Sequence, residues 1–367
     1  MTLTNYWWLL IWLFGAGGFL YYFFPKDKVS VNGTYEERWT WFPAIILAAP
    51  YVVWTAYRVW FGDTEVYRMF FRNLPTAISK IGPYISENTK DKGFSVLSIL
   101  IKSVAGNSDV MFFLLIAVFQ MACIVWVYKK YSSNYWMSFF LFIISTDYMS
   151  WMHNGMRQFI AVTMIFAAFR LLVEKKYVPL IIVILLAATI HGSALMMLPI
   201  VFIVQGRAWN SKTILFILAI VLMIVFIDRF TPILTNVLVD TQYSDLTTNE
   251  IWTGDDGTNI LRVLVYSVPA LLSLWGKKYI DVAKNPMINI CVNCSIVTMT
   301  LYLLSAVTSG IYIGRLPIYT TLQGYMAVPW LINNMFEEKS ARMINILMMG
   351  AYLLFFFYQM HMSWGLI

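Results

Sequence analysis

His191 lies inside the apolar run from Val178 to Gln205, and hydrocarbon tolerates an ionisable group only where protein or water surrounds it. Arg157 follows the apolar stretch Tyr135 to Trp151, Arg262 opens Ile260 to Trp275, and Arg315 opens the run that ends at Asn333. A guanidinium at a membrane edge can grip phosphate oxygens through two parallel hydrogen bonds, and the amino end of a helix adds partial positive charge. An imidazole at membrane depth can accept a proton or orient a hydroxyl. These four polar groups predict one cavity.

Other clusters offer related chemistry. The stretch Ala56 to Tyr67 leaves an apolar run and presents Arg58, Asp63 and Glu65, the turn residue Gly62, and the rings of Tyr57, Trp60, Phe61 and Tyr67. Rings cover the C–H faces of sugars while carboxylates take hydroxyl protons, so the stretch reads either as a carbohydrate site or as an interfacial aromatic belt. Met152 to Ala161 places Arg157 at the mouth of an apolar helix, where it either holds phosphate or snorkels to lipid headgroups. His153 beside it is either a proton relay or a hydrogen-bonded surface residue. Around His191, Gly192, Ser193 and Ala194 permit close approach of helices or substrate. The histidine either meets that substrate or ties two short helices together through backbone carbonyls. His361 has no such company and reads as structural.

The elements that must hold these residues follow from composition. The chain has 367 residues, 60% hydrophobic and 12% charged, about half the charge of a soluble globule. It reads as an all-α, polytopic membrane protein, a single transmembrane domain over 1–367. Apolar runs at about 4–24, 40–57, 109–128, 135–151, 158–174, 178–190, 193–205, 213–228, 260–276, 286–308, 315–333 and 342–362 predict 11 or 12 transmembrane segments. The two runs flanking His191 are either a short helical pair or one long span. A pair puts the basic loops Lys26/Lys28/Arg38, Lys129/Lys130, Lys175/Lys176, Arg207/Lys212, Lys277/Lys278/Lys284 and Lys339/Arg342 on one side, as expected for cytoplasmic loops. The connections at about 58–107 and 228–259 then face the exterior, with Phe94 to Ala105 as a helix at the outer interface. The net charge of +7 is spread between apolar runs, which points to topology and away from nucleic acid. Cys123, Cys291 and Cys294 lie in apolar runs without further ligands and read as core residues.

The ordered motifs resemble the EpsG-type family of exopolysaccharide biosynthesis proteins, itself similar to the broader Wzy-like polysaccharide polymerases. They are Tyr57-Arg58 with Asp63 and Tyr67, Gly93-Phe94, Asn154-Gly155-Met156-Arg157-Gln158 with Ile160-Ala161, Ile190-His191-Gly192-Ser193-Ala194-Leu195 with Leu198-Pro199, and Gly314-Arg315. Family members commonly carry a glutamate before the Gly-Phe pair, where this chain has Asp91-Lys92, and no role is assigned to an acid there. The resemblance implies a scaffold similar to the GT-C-like membrane glycosyltransferases that use polyprenyl donors. It further implies polymerisation of undecaprenyl-pyrophosphate-linked oligosaccharides on the outer face of a bacterial cytoplasmic membrane, as in exopolysaccharide or capsule synthesis. A chain-length regulator and a flippase of the same pathway are the protein partners so implied.

On this reading Arg157 and Arg315, supported by Arg262 and Arg58, hold the pyrophosphate, and Tyr67, Gln158 and His153 meet sugar. An acceptor hydroxyl attacks the anomeric carbon with inversion, and His191 or Asp63 is the base, His191 being preferred for its burial. No carboxylate cluster of the octahedral type occurs, so no metal and no cofactor is expected. Membrane lipids surround the chain. A glycan ligase on a similar fold, a membrane O-acyltransferase and a solute transporter are the rival readings.

Overall fold

A computed structural model describes residues 3–31, 34–58, 61–87, 90–227, 229 and 257–366. The acidic residues of the second long connection from Asp228 to Asp256 lie outside the described residues. Every apolar run named above is helical over most of its length, because in hydrocarbon each backbone N–H and C=O must be satisfied within its own segment.

Helix α1 (Leu3–Phe23) leads into an antiparallel pair, β1 (Lys26–Val31) and β2 (Thr34–Trp39), in register from Lys26↔Trp39 to Val31↔Thr34. This hairpin occupies the first basic loop, where no regular element was expected, and leaves the all-α class intact. Its sequence signal was Asn32-Gly33 between two short alternating runs, the dipeptide that favours tight hairpins. The ribbon is pinned by Arg38, which donates to the Lys130 carbonyl and to Glu36, and by Lys129 at 3.2 Å from Asp27. Two short strands hold little on their own, so such side-chain ties matter.

Then follow α2 (Trp41–Ala56), α3 (Thr64–Asn73), α4 (Ile81–Glu87), α5 (Lys92–Ala105), α6 (Asp109–Tyr131) and α7 (Tyr135–Ile144). Helix starts match local signals. Ser108 Oγ accepts the Met111 N–H and Asn134 Oδ1 accepts the Met137 N–H, satisfying donors that the first turn leaves open. Past α7 the backbone is interrupted at Thr146, with φ 66°, and continues as a π-helical turn over Tyr148–Asn154. Such wide turns free polar groups and are common near functional sites.

Beyond it come α8 (Met156–Ala167), α9 (Phe169–Val173) and α10 (Tyr177–Ile190). His191 ends α10 in extended backbone at φ −152°, and a 3-10 turn over Gly192–Met196 precedes α11 (Met197–Ile203). The chain therefore breaks at His191-Gly192, as the short-pair expectation required. The later helices are α12 (Ser211–Val225), α13 (Ile260–Trp275), α14 (Lys277–Ala283), α15 (Pro286–Ala306), α16 (Ile318–Met335) and α17 (Glu338–Tyr358). Asn210 caps α12, and Asn285 caps α15 with Pro286 at the first helical position.

The fold is that of an all-α polytopic membrane protein. Among the described residues, four helices are long and apolar enough to cross a membrane: Tyr6–Phe23, Asp109–Tyr131, Pro286–Ala306 and Glu338–Ser363. A fifth span results if α13 and α14, bent by 67° to each other, are taken together. Six further apolar helices have 10–17 residues, fewer than the ~20 that a full crossing takes.

The helices gather into two compact units, Met1–Met196 with Arg342–Ile367, and Met197–Ala341. In the first, α6 packs against both α2 and α8, α8 against α10, and α10 against α5. In the second, α15 lies along α13, α16 and α12 and is buried around most of its circumference. That is the pattern of a helix apolar on every side.

Candidate functional site

In the first unit the site grows from a close helix contact. A Cβ on Gly93 would stand 2.1 Å from Thr189 Oγ1 and 2.8 Å from the Thr189 carbonyl carbon. Only a residue without a side chain lets the start of α5 meet the end of α10 at that separation. This contact carries Asp91, just before α5, to the turn after His191, where its carboxylate accepts the Gly192 N–H.

The same carboxylate reaches α8. Asp91 Oδ2 lies 3.0 Å from Arg157 Nη1, with the arginine side chain 39% exposed and the aspartate 13% exposed. Burial raises the Asp91 carboxyl above its ordinary range, and Arg157 and the Gly192 N–H draw it partly back. The Arg157 guanidinium also lies over Phe94, 5.9 Å from the ring centre, and the Arg157 backbone N–H donates to Tyr67 Oη at 3.3 Å. Phe94 in turn stacks on Phe70 and meets the edge of Tyr67. One residue along α8, Gln158 Nε2 donates to Ser193 Oγ at 3.3 Å, and Ser193 Oγ stands 2.7 Å from His191 Nδ1. Thus the adjacent pair Arg157-Gln158, joined to Tyr67 by a backbone N–H, is linked to the distant His191 turn through Asp91 and Ser193.

Arg58 sits apart from this group. It is 1% exposed, donates from Nη1 to the carbonyls of Met152 at 2.7 Å and His153 at 3.0 Å, and lies over Phe113 at 3.6 Å. Desolvation pulls its guanidinium down to about 9, against the opposing influence of Tyr67. These contacts make it a brace for the π-helical turn that precedes Arg157, where the sequence suggested a pyrophosphate ligand.

His153 is equally enclosed, at 1% exposure, with Nε2 3.4 Å from Thr55 Oγ1 and its ring against Tyr148. Burial, reinforced by Arg58, holds its imidazole neutral. That placement gives it no surface from which to meet sugar. Asp63 stands immediately before α3, its backbone N–H donating to Asn154 Oδ1 at 3.0 Å. Gly62, with φ +50°, adopts the left-handed backbone that makes this approach possible.

The second unit holds the other two arginines at one end. Thr258 donates its N–H to the Ser305 carbonyl at 3.0 Å, and a Cβ on Gly314 would meet Thr258 Oγ1 at 2.7 Å. The chain entering α13 is therefore clasped against the turn that carries Arg315. Arg262, in the first turn of α13, lies over Tyr266 at 5.6 Å, and that ring packs on Tyr302 at 4.6 Å.

Two participants escaped the sequence reading. Asp91 was passed over because it stands in place of a family glutamate, and Ser193 was read only as a small residue. Among the described residues no group of three or more histidine, cysteine or acidic side chains could hold a metal.

The EpsG family profile matches residues 40–365, nearly the whole chain. No curated relative and no solved structure matches it. The chain belongs to the EpsG family, whose members are Wzy-like polysaccharide polymerases.

Proposed function

We propose, with EpsG membership as the premise, that this polymerase of exopolysaccharide biosynthesis joins oligosaccharide repeats carried on undecaprenyl pyrophosphate, at the outer face of the cytoplasmic membrane. The observation that supports the reading is the chain of contacts from Arg157 to His191. A half-exposed guanidinium at the start of a helix is tied through Asp91 to the turn carrying an imidazole. An anion-holding group and a proton-accepting group thus share one neighbourhood.

The growing chain is the donor, and Arg157 meets its pyrophosphate. A hydroxyl oxygen of the incoming repeat forms a bond to the anomeric carbon as the bond from that carbon to the pyrophosphate oxygen breaks, with the electron pair leaving on the pyrophosphate. Attack from the opposite face inverts the anomeric centre. The hydroxyl proton passes to His191, whose ring is fixed by the contact of Nδ1 with Ser193. A positioned base of this kind contributes about 10²–10⁴-fold. Arg157 stabilises charge as it develops on the departing group, an effect of about 2.7–4 kcal/mol for a single donor in comparable sites. Tyr67 flanks the arginine and meets sugar hydroxyls, Gln158, 4% exposed, holds the His191 turn through Ser193, and Asp63 is the second candidate base.

The test is a reconstitution. Purified protein mixed with a lipid-linked repeat should give a ladder of chain lengths. Arg157→Ala should erase the ladder while the thermal midpoint stays near that of the parent, and Arg315→Ala is the parallel variant for the second unit. A ladder that persists in Arg157→Ala would remove the arginine from the reaction.

A further inference from the structure

We infer that Asp91 is a positioning residue for glycosyl transfer, fixing where the Arg157 guanidinium stands relative to the His191 turn; the inference rests on Arg157 as the group that meets the diphosphate. Three elements converge on this one carboxylate. It begins α5, pairs with Arg157 at the start of α8, and accepts the Gly192 N–H after α10. To reach both partners Asp91 holds a left-handed backbone, φ 49°, a conformation that non-glycine residues adopt at a cost and that aspartate tolerates better than most. Its carbonyl still anchors the helix, accepting from the Phe94 N–H at 3.0 Å and the Ser95 N–H at 3.2 Å.

The pairing has two opposed effects. A carboxylate beside the guanidinium repels any anion that approaches it, which weakens ground-state binding of a diphosphate. The same carboxylate holds Nη1 in place, and Arg157 Nε is buried with no hydrogen-bond partner among the described residues. Beyond the Phe94 ring 5.9 Å away, the carboxylate is therefore the group that fixes the guanidinium plane. Stabilisation of a transition state depends on donors aimed in advance at the position where charge develops. Loss of the Asp91 charge should free Arg157 to bind the ground state better and to serve the transition state worse. Asn at position 91 keeps an oxygen for the Gly192 N–H, so it isolates the arginine arm.

The experiment uses the full-length protein in lipid nanodiscs, with undecaprenyl diphosphate as the binding probe and a lipid-linked repeat for turnover. Asp91→Asn should lower Kd for the probe by about 5-fold and lower turnover by about 10-fold or more, while Asp91→Glu restores turnover towards that of the parent. In an Arg157→Ala background the same change to Asn should move Kd by less than about 2-fold, since the residues act as one unit. An equal shift in Kd in both backgrounds overturns the inference and leaves Arg157 standing. So does unchanged turnover, or a Kd that rises as turnover falls. A parent protein that does not bind the probe overturns the role of Arg157, and that of Asp91 with it.

Discussion

Arg157 Nη1 and Asp91 Oδ2 stand 3.0 Å apart, and this ion pair ties the start of α8 to the residue that opens α5. A surface pair is worth little because water screens it and two side chains lose freedom. This one is partly enclosed and is backed by a backbone N–H from Gly192, so it fixes geometry as well as charge.

Turnover should respond to acid before the fold does. Burial holds the Asp91 carboxyl above its ordinary range, so falling pH protonates it while ordinary carboxylates are still charged. In the unfolded chain the group titrates lower, so between the two values the native state binds more protons. Its contribution to stability is then full at low pH and is lost as pH rises through the native value. Polymer formation should decline on acidification through that window without a matching loss of thermal stability. His191 as the base gives its own acid limb in parent and variant alike, so the stability readout isolates Asp91: Asp91→Asn should lack the acid-linked gain in stability, and retention of that gain in the variant places the titration elsewhere.

Gly93→Ala should destabilise the protein by about 1–3 kcal/mol, the usual cost of overpacking. The added methyl meets backbone as well as side chain at Thr189. Trimming that neighbour, in Gly93→Ala/Thr189→Ala, should therefore recover only part of the loss. Thermal unfolding in detergent checks this, and full recovery would show that the side chain alone sets the helix separation.

Replacing Arg58 should damage the fold first. Arg58→Met removes donors from the Met152 and His153 carbonyls, and unsatisfied buried groups cost about 1–3 kcal/mol each. Arg58→Lys keeps the charge but not the planar fork, so it should recover only a fraction. A variant with unchanged thermal midpoint but lost polymerisation would return Arg58 to ligand binding.

Tyr67→Phe removes the acceptor of the Arg157 backbone N–H. The expected loss of stability is about 1 kcal/mol, that of a typical hydrogen bond. Chemical denaturation of the purified variant measures it, and no change would mean that the 3.3 Å contact contributes nothing.

Much of the fold was legible locally. Apolar run length, a capping serine or asparagine, and a proline at a first turn act within a few residues, and they placed the apolar helices closely, while the more polar α3, α4 and α14 fell in segments read as connections. The break at His191-Gly192 could be read the same way, from a polar residue and a glycine set in an apolar run. The motif order also sufficed to place the chain in its family. The hairpin at residues 26–39 was legible too, through Asn32-Gly33, but loop composition concealed it.

Tertiary structure alone decided how the polar residues were shared out. Arg58 and Arg157 look alike in sequence, each at the edge of an apolar run, yet one is sealed against Phe113 and two carbonyls while the other stays half open beside Asp91. Asp91 gained its partners because Gly93 lets α5 approach α10 at Thr189. Such pairings depend on which helices cross and how closely, and a linear spacing of residues carries no measure of either.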